Sequence, residues 1–308
     1  MIHRLLVPGL LEGPPDGVDR TGLPRFPVLE RFLARADEGR AEGDLEALVT
    51  GFYGLPSGQG AAPFCYLADT GRRPESGVLR AFPVHLRADR DRVLLFPLDE
   101  TLLDREEARD LANGFNSHFA DEGLHLEVAR PHRWYLLTER LPATPLASLG
   151  QVAGRSLRDF LPDRDRFWLS VINETQMLFF DSPVNQARER AGRLPVNGLW
   201  FDGRGSLPGV PLRGPGRGEG DHCLLRGLVA CTTEDNGERV TVMEDIHQAL
   251  REQNASAWLQ AREGLESRLH GMIHDAEIML YSCDGRSWHW KPSCNRRFWR
   301  FPRPLPWS

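Results

Sequence analysis

Residues Asp181 to Pro208 read DSPVNQARERAGRLPVNGLWFDGRGSLP, and the fold class turns on how this stretch is parsed. Pro183 has no N–H and biases its neighbour toward extended geometry, so a preceding helix stops there. A basic turn, Arg188–Arg190, follows, with Gly192 placed as a left-handed cap. Pro195-Val196 then leads into Leu199-Trp200-Phe201, a short apolar run with strand character. Gly203 and Gly205 allow the backbone to turn with positive φ. A strand followed by a G-x-G loop can present N–H groups to an anion, and Asn185, Arg188, Asn197 and Arg204 add polar side chains nearby. The alternative is a buried strand with a flexible turn after it, and a lone G-x-G does not decide between the two.

Outward from this stretch, the whole chain has 308 residues, 41% of them hydrophobic, enough for a substantial core in one large or two ordinary domains. Its net charge of −5 gives no overall field that favours nucleic acid or an anionic membrane, so neither is expected as a partner. The apolar start Met1–Gly9 is too short for a signal-peptide core, and no run approaches the ~20 apolar residues of a membrane span, so a cytoplasmic location is expected. Cys65, Cys223, Cys231, Cys283 and Cys294 are widely spaced with no CxxC, which supports neither a zinc knuckle nor a thioredoxin-like site; reduced structural thiols are expected.

Before the central stretch, Leu5-Leu6-Val7 reads as a strand or loop. Pro27 opens a helix from Val28 to Ala36, and a second helix covers Leu45–Phe52. Phe64–Ala68 reads as a strand or short helix. Leu79–Leu86 and Arg92–Phe96 read as a hairpin about a polar turn. Asp104 and Glu107 form a capping-box pair at the head of a helix that Gly123 ends. Strands Leu124–Val128 and Trp134–Thr138 follow. The order β-β-α-β-β predicts a compact inserted lobe over 78–140 within a single 1–308 unit. A short helix at Leu146–Gly150 precedes a longer one at Arg166–Phe180, where Glu174 lies off the apolar stripe.

After it, Ser206–Gly220 reads as a glycine- and proline-rich loop. A helix capped by Asp221 covers His222–Ala230, and a tight turn at Asn236-Gly237 precedes the strand Arg239–Met243. Residues 241–308 form a C-terminal helical segment and tail. Its long helix, from Ser256 to Leu280, is drawn by Trp258, Ala261, Leu265, Leu269, Met272, Ala276 and Met279. Trp288–Lys291 is a short strand, and the basic and aromatic tail Arg296–Trp307 is expected to dock across a domain surface.

At Pro183-Val184-Asn185, Arg188, Gly192, Pro195, Asn197 and Leu199-Trp200-Phe201 through Gly203 and Gly205, the chain resembles the RpfE-type regulatory proteins. These are bacterial proteins described as cofactor-independent phosphoglycerate-mutase-like. Arg80-Ala81-Phe82-Pro83-Val84-His85-Leu86, the segment from Phe115-Asn116-Ser117-His118-Phe119 to Trp134-Tyr135-Leu136, and Phe298-Trp299-Arg300-Phe301-Pro302-Arg303-Pro304-Leu305 extend the resemblance from Phe26 to Leu305. Three positions depart from the family pattern. Phe82 stands where Asp is usual, Ser182 where His is usual, and Asp202 where Trp-Gly is usual.

The resemblance implies an α/β fold of the alkaline-phosphatase type: a central, mostly parallel sheet flanked by helices, with the α+β lobe inserted. Active relatives implied by it use two divalent metals, Mn or Zn, a Ser or Thr nucleophile and clustered Asp and His ligands; paired metals stabilise both oxygens of a phosphoryl transfer. Here Pro8-Gly9 follows the first strand where an acidic residue is needed. The remaining candidates, Asp16, Asp19, Asp221-His222, Asp245 with His247, and His270 with His274-Asp275, do not reproduce the pattern. Ser57 is a nucleophile only by analogy. The expectation is therefore a degenerate, cofactor-free relative in a regulatory role that binds a small anionic or phosphorylated ligand or a protein partner. His85, Glu174, Asn185, Arg188, Asn197 and Trp200 are the candidate ligand-binding residues. Arg188 would hold an anion bidentately, Asn185 and Asn197 would orient it, and His85 would donate a hydrogen bond or exchange a proton. Each also has a structural reading: Asn197 capping backbone groups, His85 satisfied in the core. The alternatives are an active metal-dependent 2,3-bisphosphoglycerate-independent phosphoglycerate mutase or phosphatase, and a structural or assembly protein.

Overall fold

The computed structural model describes residues 1–56, 58–98, 102–162 and 164–305. The chain divides into a split unit, Met1–Ser57 with Val210–Ser308, and an inserted unit, Gly58–Gly209.

The split unit opens with β1 (Ile2–Leu6), α1 (Pro27–Arg35), β2 (Asp37–Arg40) and α2 (Leu45–Phe52). The inserted unit supplies α3 (Ala62–Thr70), β3 (Gly77–Asp89), β4 (Arg92–Pro97), α4 (Arg105–His118), β5 (His125–Arg130) and β6 (Arg133–Thr138). It continues through α5 (Leu149–Val152), α6 (Arg166–Phe180), α7 (Pro183–Arg190) and β7 (Gly198–Gly205). The split unit resumes with β8 (Leu212–Gly214), β9 (Arg217–Glu219), α8 (Cys223–Cys231), β10 (Thr232–Asp235) and β11 (Arg239–Val242). It closes with α9 (Asp245–Arg251), α10 (Ala255–Met272), β12 (Glu277–Tyr281) and β13 (Arg286–Trp290).

The main sheet of the split unit runs β2-β13-β12-β1-β11-β9. β1 pairs in parallel with both β11 and β12, and β9 in parallel with β11; β13 and β2 add an antiparallel edge. Strands buried on both faces read as continuous apolar runs, which is why Leu5-Leu6-Val7 and Ile278–Tyr281 look alike. The helices that flank the sheet bury their apolar stripes: Leu29 and Phe32 of α1 and Trp258, Leu265 and Leu269 of α10 share a core with Leu5, Ile278 and Leu280. The expected fold class, a mostly parallel α/β sheet flanked by helices and carrying an α+β insertion, is the one observed.

In the inserted unit, antiparallel strands run β4-β3-β6-β5, and β7 joins the other part of long β3. Trp134, Trp168, Trp200, Phe115 and Phe201 fill the core between this sheet and helices α4 and α6. The order β-β-α-β-β expected over 78–140 corresponds to β3, β4, α4, β5 and β6. Asp104 caps α4 by accepting from the Glu107 N–H at 2.8 Å, and the Glu107 carboxylate reaches back to the Asp104 N–H.

Several expectations are corrected. The basic turn Arg188–Arg190 is the end of α7, which Pro183 opens at a position where a missing N–H costs nothing. Ser206–Gly220 contains β8 and β9. Asp221 does not cap α8; His222 holds that position, without a side-chain cap bond. The C-terminal helix stops at Met272, and Ala276 and Met279 lie beyond it; apolar spacing carries through the junction into β12 and hides it. Cys283 and Cys294 carry free thiols as expected, whereas Cys65 and Cys223 do not. Among the described residues no helix is long and apolar enough to cross a membrane.

Candidate functional site

Four of the six candidate ligand residues gather around one backbone segment, Leu194–Asn197. Arg188, 1% exposed, donates from Nε to the Leu194 carbonyl at 2.8 Å, from Nη1 to Glu107 at 2.6 Å and from Nη2 to the Leu102 carbonyl at 2.9 Å. Asn185, equally buried, donates to the Phe179 and Val196 carbonyls at 2.7 and 2.8 Å and accepts from the Val196 N–H at 2.8 Å. His85 Nδ1 lies 3.0 Å from the Pro195 carbonyl. Asn197 pairs with the Leu86 backbone in both directions, at 2.6 and 2.9 Å. These side chains clamp an irregular connection between α7 and β7, and a buried backbone needs such partners. The polar atoms of Arg188, Asn185 and Asn197, and Nδ1 of His85, are engaged by the chain itself.

The other two candidates stand elsewhere. Trp200 is fully buried and donates from Nε1 to the Ala147 carbonyl at 2.9 Å. Glu174 is on the exposed face of α6, where it accepts from Ser170 at 2.6 Å and lies 3.2 Å from His118 Nε2. Those two bonds, the Ser170 one foremost, hold its carboxyl below the usual range.

The glycine pair is part of β7 rather than a loop after it. Pairing of β3 with β7 slips between Val78 and Arg80, a bulge that Gly203 relieves with φ +63°. A Cβ on Gly60 would stand 2.0 Å from the Arg204 carbonyl oxygen and 2.2 Å from that of Gly203. The glycines therefore permit close backbone approach, which neither the anion cradle nor the flexible turn anticipated. The three positions singled out above, 82, 182 and 202, each have a structural role. Asp202 is the buried partner of Arg80 at 2.6 Å and accepts from the Leu149 N–H. Ser182 caps α7 through the Asn185 N–H. Phe82 is in register with Trp200 and lies under the Arg80 guanidinium.

In open α/β sheets, ligands bind outside the carboxyl ends of the parallel strands. Here those ends are Val7-Pro8-Gly9 after β1, Met243-Glu244 after β11 and Ser282-Cys283-Asp284 after β12. Arg262, fully buried on α10, fixes the first of these turns by donating to the carbonyls of Gly9, Leu10 and Glu12. Burial lowers its pKa to about 9, against the opposing pull of Glu12. An arginine beside the apolar stripe of α10 was the available sequence signal for this role.

Cys283 adopts φ +59°, a conformation that is strained for a non-glycine residue. Burial, and then the carboxylates of Asp284, Asp44 and Glu244, push its thiol up to about 12. Burial would raise Asp284, but bonds from Arg286 and Ser282 outweigh it and hold the carboxyl below its usual range. Asp44 caps α2 through the Ala47 N–H.

A pair of divalent metals requires clustered, ionised donors. This edge offers an apolar turn after β1, a single cysteine, and carboxylates committed to Arg286 and to a helix cap. Among the described residues no three His, Cys, Asp or Glu side chains group to hold an ion. His270 is in the last turn of α10 and His274 lies past its end, both exposed, so they do not share a helix face. Ser57 lies outside the described residues. Among the described residues, the donors at this edge do not form a paired-metal centre.

Two concavities went unread in the sequence. In the inserted unit, one of about 580 Å³ is lined by Tyr66, Arg72, Arg73, His125, Glu127 and Glu139 among others, with Arg72 and the Tyr66 hydroxyl bonded to Glu127. In the split unit, one of about 570 Å³ lies between α1 and the C-terminal segment.

No protein-family model matches the chain, and no curated protein matches it in sequence. Among solved structures it is similar to the PH0037 protein from Pyrococcus horikoshii, with a TM-score of 0.51 at 13% identity over 93% of this chain and 84% of that one. The likeness is one of fold. A cofactor-independent phosphoglycerate mutase from Thermoplasma acidophilum DSM 1728 also aligns, over 94% of this chain and 89% of that one, at 17% identity and a TM-score of 0.40. That degree of superposition supports no conclusion about activity.

Proposed function

We propose that this chain is a regulatory, ligand-binding protein of the RpfE type. On this reading it lacks the paired-metal phosphoryl-transfer centre of the mutases, needs no cofactor, and takes a small anionic or phosphorylated ligand or a protein partner. The observation that supports the reading is the donor chemistry at the carboxyl edge of the parallel sheet. The turn after β1 carries no acid, and among the described residues no three His, Cys, Asp or Glu side chains group to hold an ion.

The test is metal analysis after dialysis against Mn²⁺ or Zn²⁺, alongside turnover of p-nitrophenyl phosphate and 3-phosphoglycerate. The expected result is less than one equivalent of metal per chain and no turnover. Two equivalents with turnover would overturn the reading. A thermal-shift panel of phosphorylated metabolites should find a compound that raises Tm saturably; a silent panel favours the structural role.

A further inference from the structure

The C-terminal segment places three large aromatic side chains in water. Phe298, Trp299 and Phe301 are 72%, 62% and 78% exposed, in a chain that buries five other tryptophans almost completely. Apolar surface left in water costs about 25 cal/mol per Å², so a contiguous exposed aromatic group is a candidate contact surface. Nor is the segment a loose arm. Leu305 is buried in the core of the split unit. Arg297 and Arg300 donate to the Arg35 and Ala36 carbonyls at the end of α1, at 2.8 and 3.0 Å, and Arg35 donates back to the Asn295 carbonyl at 2.9 Å. Arg297 also forms a two-pronged pair with Asp37. The rings are thus displayed from a fixed frame, which lowers the ordering cost of binding.

Between this frame and α1 lies the groove of about 570 Å³, within the size range of small-molecule sites. Leu11, Leu33, Trp299 and Phe301 give it apolar walls, and Arg300 and Arg303 border it. Its one acidic lining residue, Glu30, is 2% exposed and paired with Arg25. Arg303 is exposed and pairs with no carboxylate among the described residues. Arg300 lies 3.7 Å from Asp37, so the positive charge at the groove is chiefly that of Arg303, on a chain whose net charge is −5.

We propose that this groove binds an amphipathic organic anion, its flat apolar body lying between Leu11, Leu33, Trp299 and Phe301 and its charged head meeting Arg303 and Arg300. A volume of about 570 Å³ suits a small organic molecule, and Arg303, without a carboxylate partner among the described residues, suits a negative head. The inference goes beyond the reading given above and stands without it: metal binding with turnover would remove that reading and leave this groove untouched.

The test uses 8-anilinonaphthalene-1-sulfonate with the full-length native protein, and the neutral N-phenyl-1-naphthylamine as its uncharged counterpart. Expected is saturable binding of one sulfonate per chain, about tenfold weaker for the neutral compound. Arg303→Glu and Phe301→Ser, both at exposed positions, should each weaken the sulfonate about tenfold while near-UV circular dichroism and Tm stay unchanged. Sulfonate binding that is indifferent to both substitutions overturns the proposal, as does equal affinity for the two compounds. A dimer in sedimentation that Phe301→Ser dissociates also overturns it, and assigns the surface to a second copy.

Discussion

Arg188 and Asn185 carry polar side chains that a sequence reader assigns to a ligand and that the folded chain directs at its own backbone. The reason is distance along the chain. The partner of Arg188 is Glu107, 81 residues away, and nothing in the local pattern announces it. By contrast, the Asp104–Glu107 capping box is readable because its partners are three residues apart. Removing the Arg188 head group leaves two carbonyls and part of a carboxylate without their buried donor. Arg188→Ala should therefore lower the urea-unfolding free energy by about 3 kcal/mol. Asn185→Ala should cost about 2 kcal/mol for the same reason. An unchanged midpoint in either variant would return that residue to the list of ligand contacts. His3, on β1, has its pKa drawn below the usual 6.5, first by burial and then by Arg239. A depressed imidazole pKa means that the unfolded chain takes up the proton first as the medium acidifies. Stability is then full above pH 6.5 and falls as pH drops below it. His3→Gln should flatten Tm on the acid side of pH 6.5; an acid-side fall as steep as in the unaltered protein would refute the assignment.

The elements differ in how far local pattern defines them. α2 and α6 were legible to the residue because caps and apolar spacing agree, with Asp44 and Asp165 each accepting from an N–H of the first turn. The end of α10 was not, because apolar spacing persists past Met272 and no glycine marks the stop. β8 and β9 were missed because three-residue strands within a glycine-rich segment carry almost no periodicity. β7 was legible as a strand, but its bulge is a long-range matter: the constraint on Gly203 comes from β3 and from Gly60. Gly60→Ala would put a Cβ 2.0 Å from the Arg204 carbonyl oxygen, with backbone rather than a flexible side chain in the way. The expected cost is at least about 3 kcal/mol, in the range of severe overpacking, or loss of soluble protein. Gly114→Ala, within α4 and open on all sides, should instead stabilise by about 0.5–1 kcal/mol. Equal effects of the two substitutions would contradict the packing described for β7.

The inserted unit has a core of its own, and its ends are held near one another by the bond from Gln59 Nε2 to the Ser206 carbonyl at 3.0 Å. A fragment of residues 58–209 should thus fold alone, with a single cooperative urea transition and the near-UV signal of buried Trp134, Trp168 and Trp200. A fragment without near-UV ellipticity would show that this core needs the rest of the chain. The overall class was legible through the family resemblance rather than strand by strand: β1 read as a strand or loop, and β12 was absorbed into the C-terminal helix because its apolar residues continue that helix's spacing. The groove beside α1 was not, because it needs the tail and the end of α1 brought together across more than 260 residues. The sheet order also carries a temporal consequence. β1 sits between β11 and β12, which are synthesised more than 230 residues after it. On the ribosome, Gly58–Gly209 is complete while that first strand still lacks both neighbours. The nascent chain therefore matures from its middle outward, with its earliest-made strand among the last to be paired.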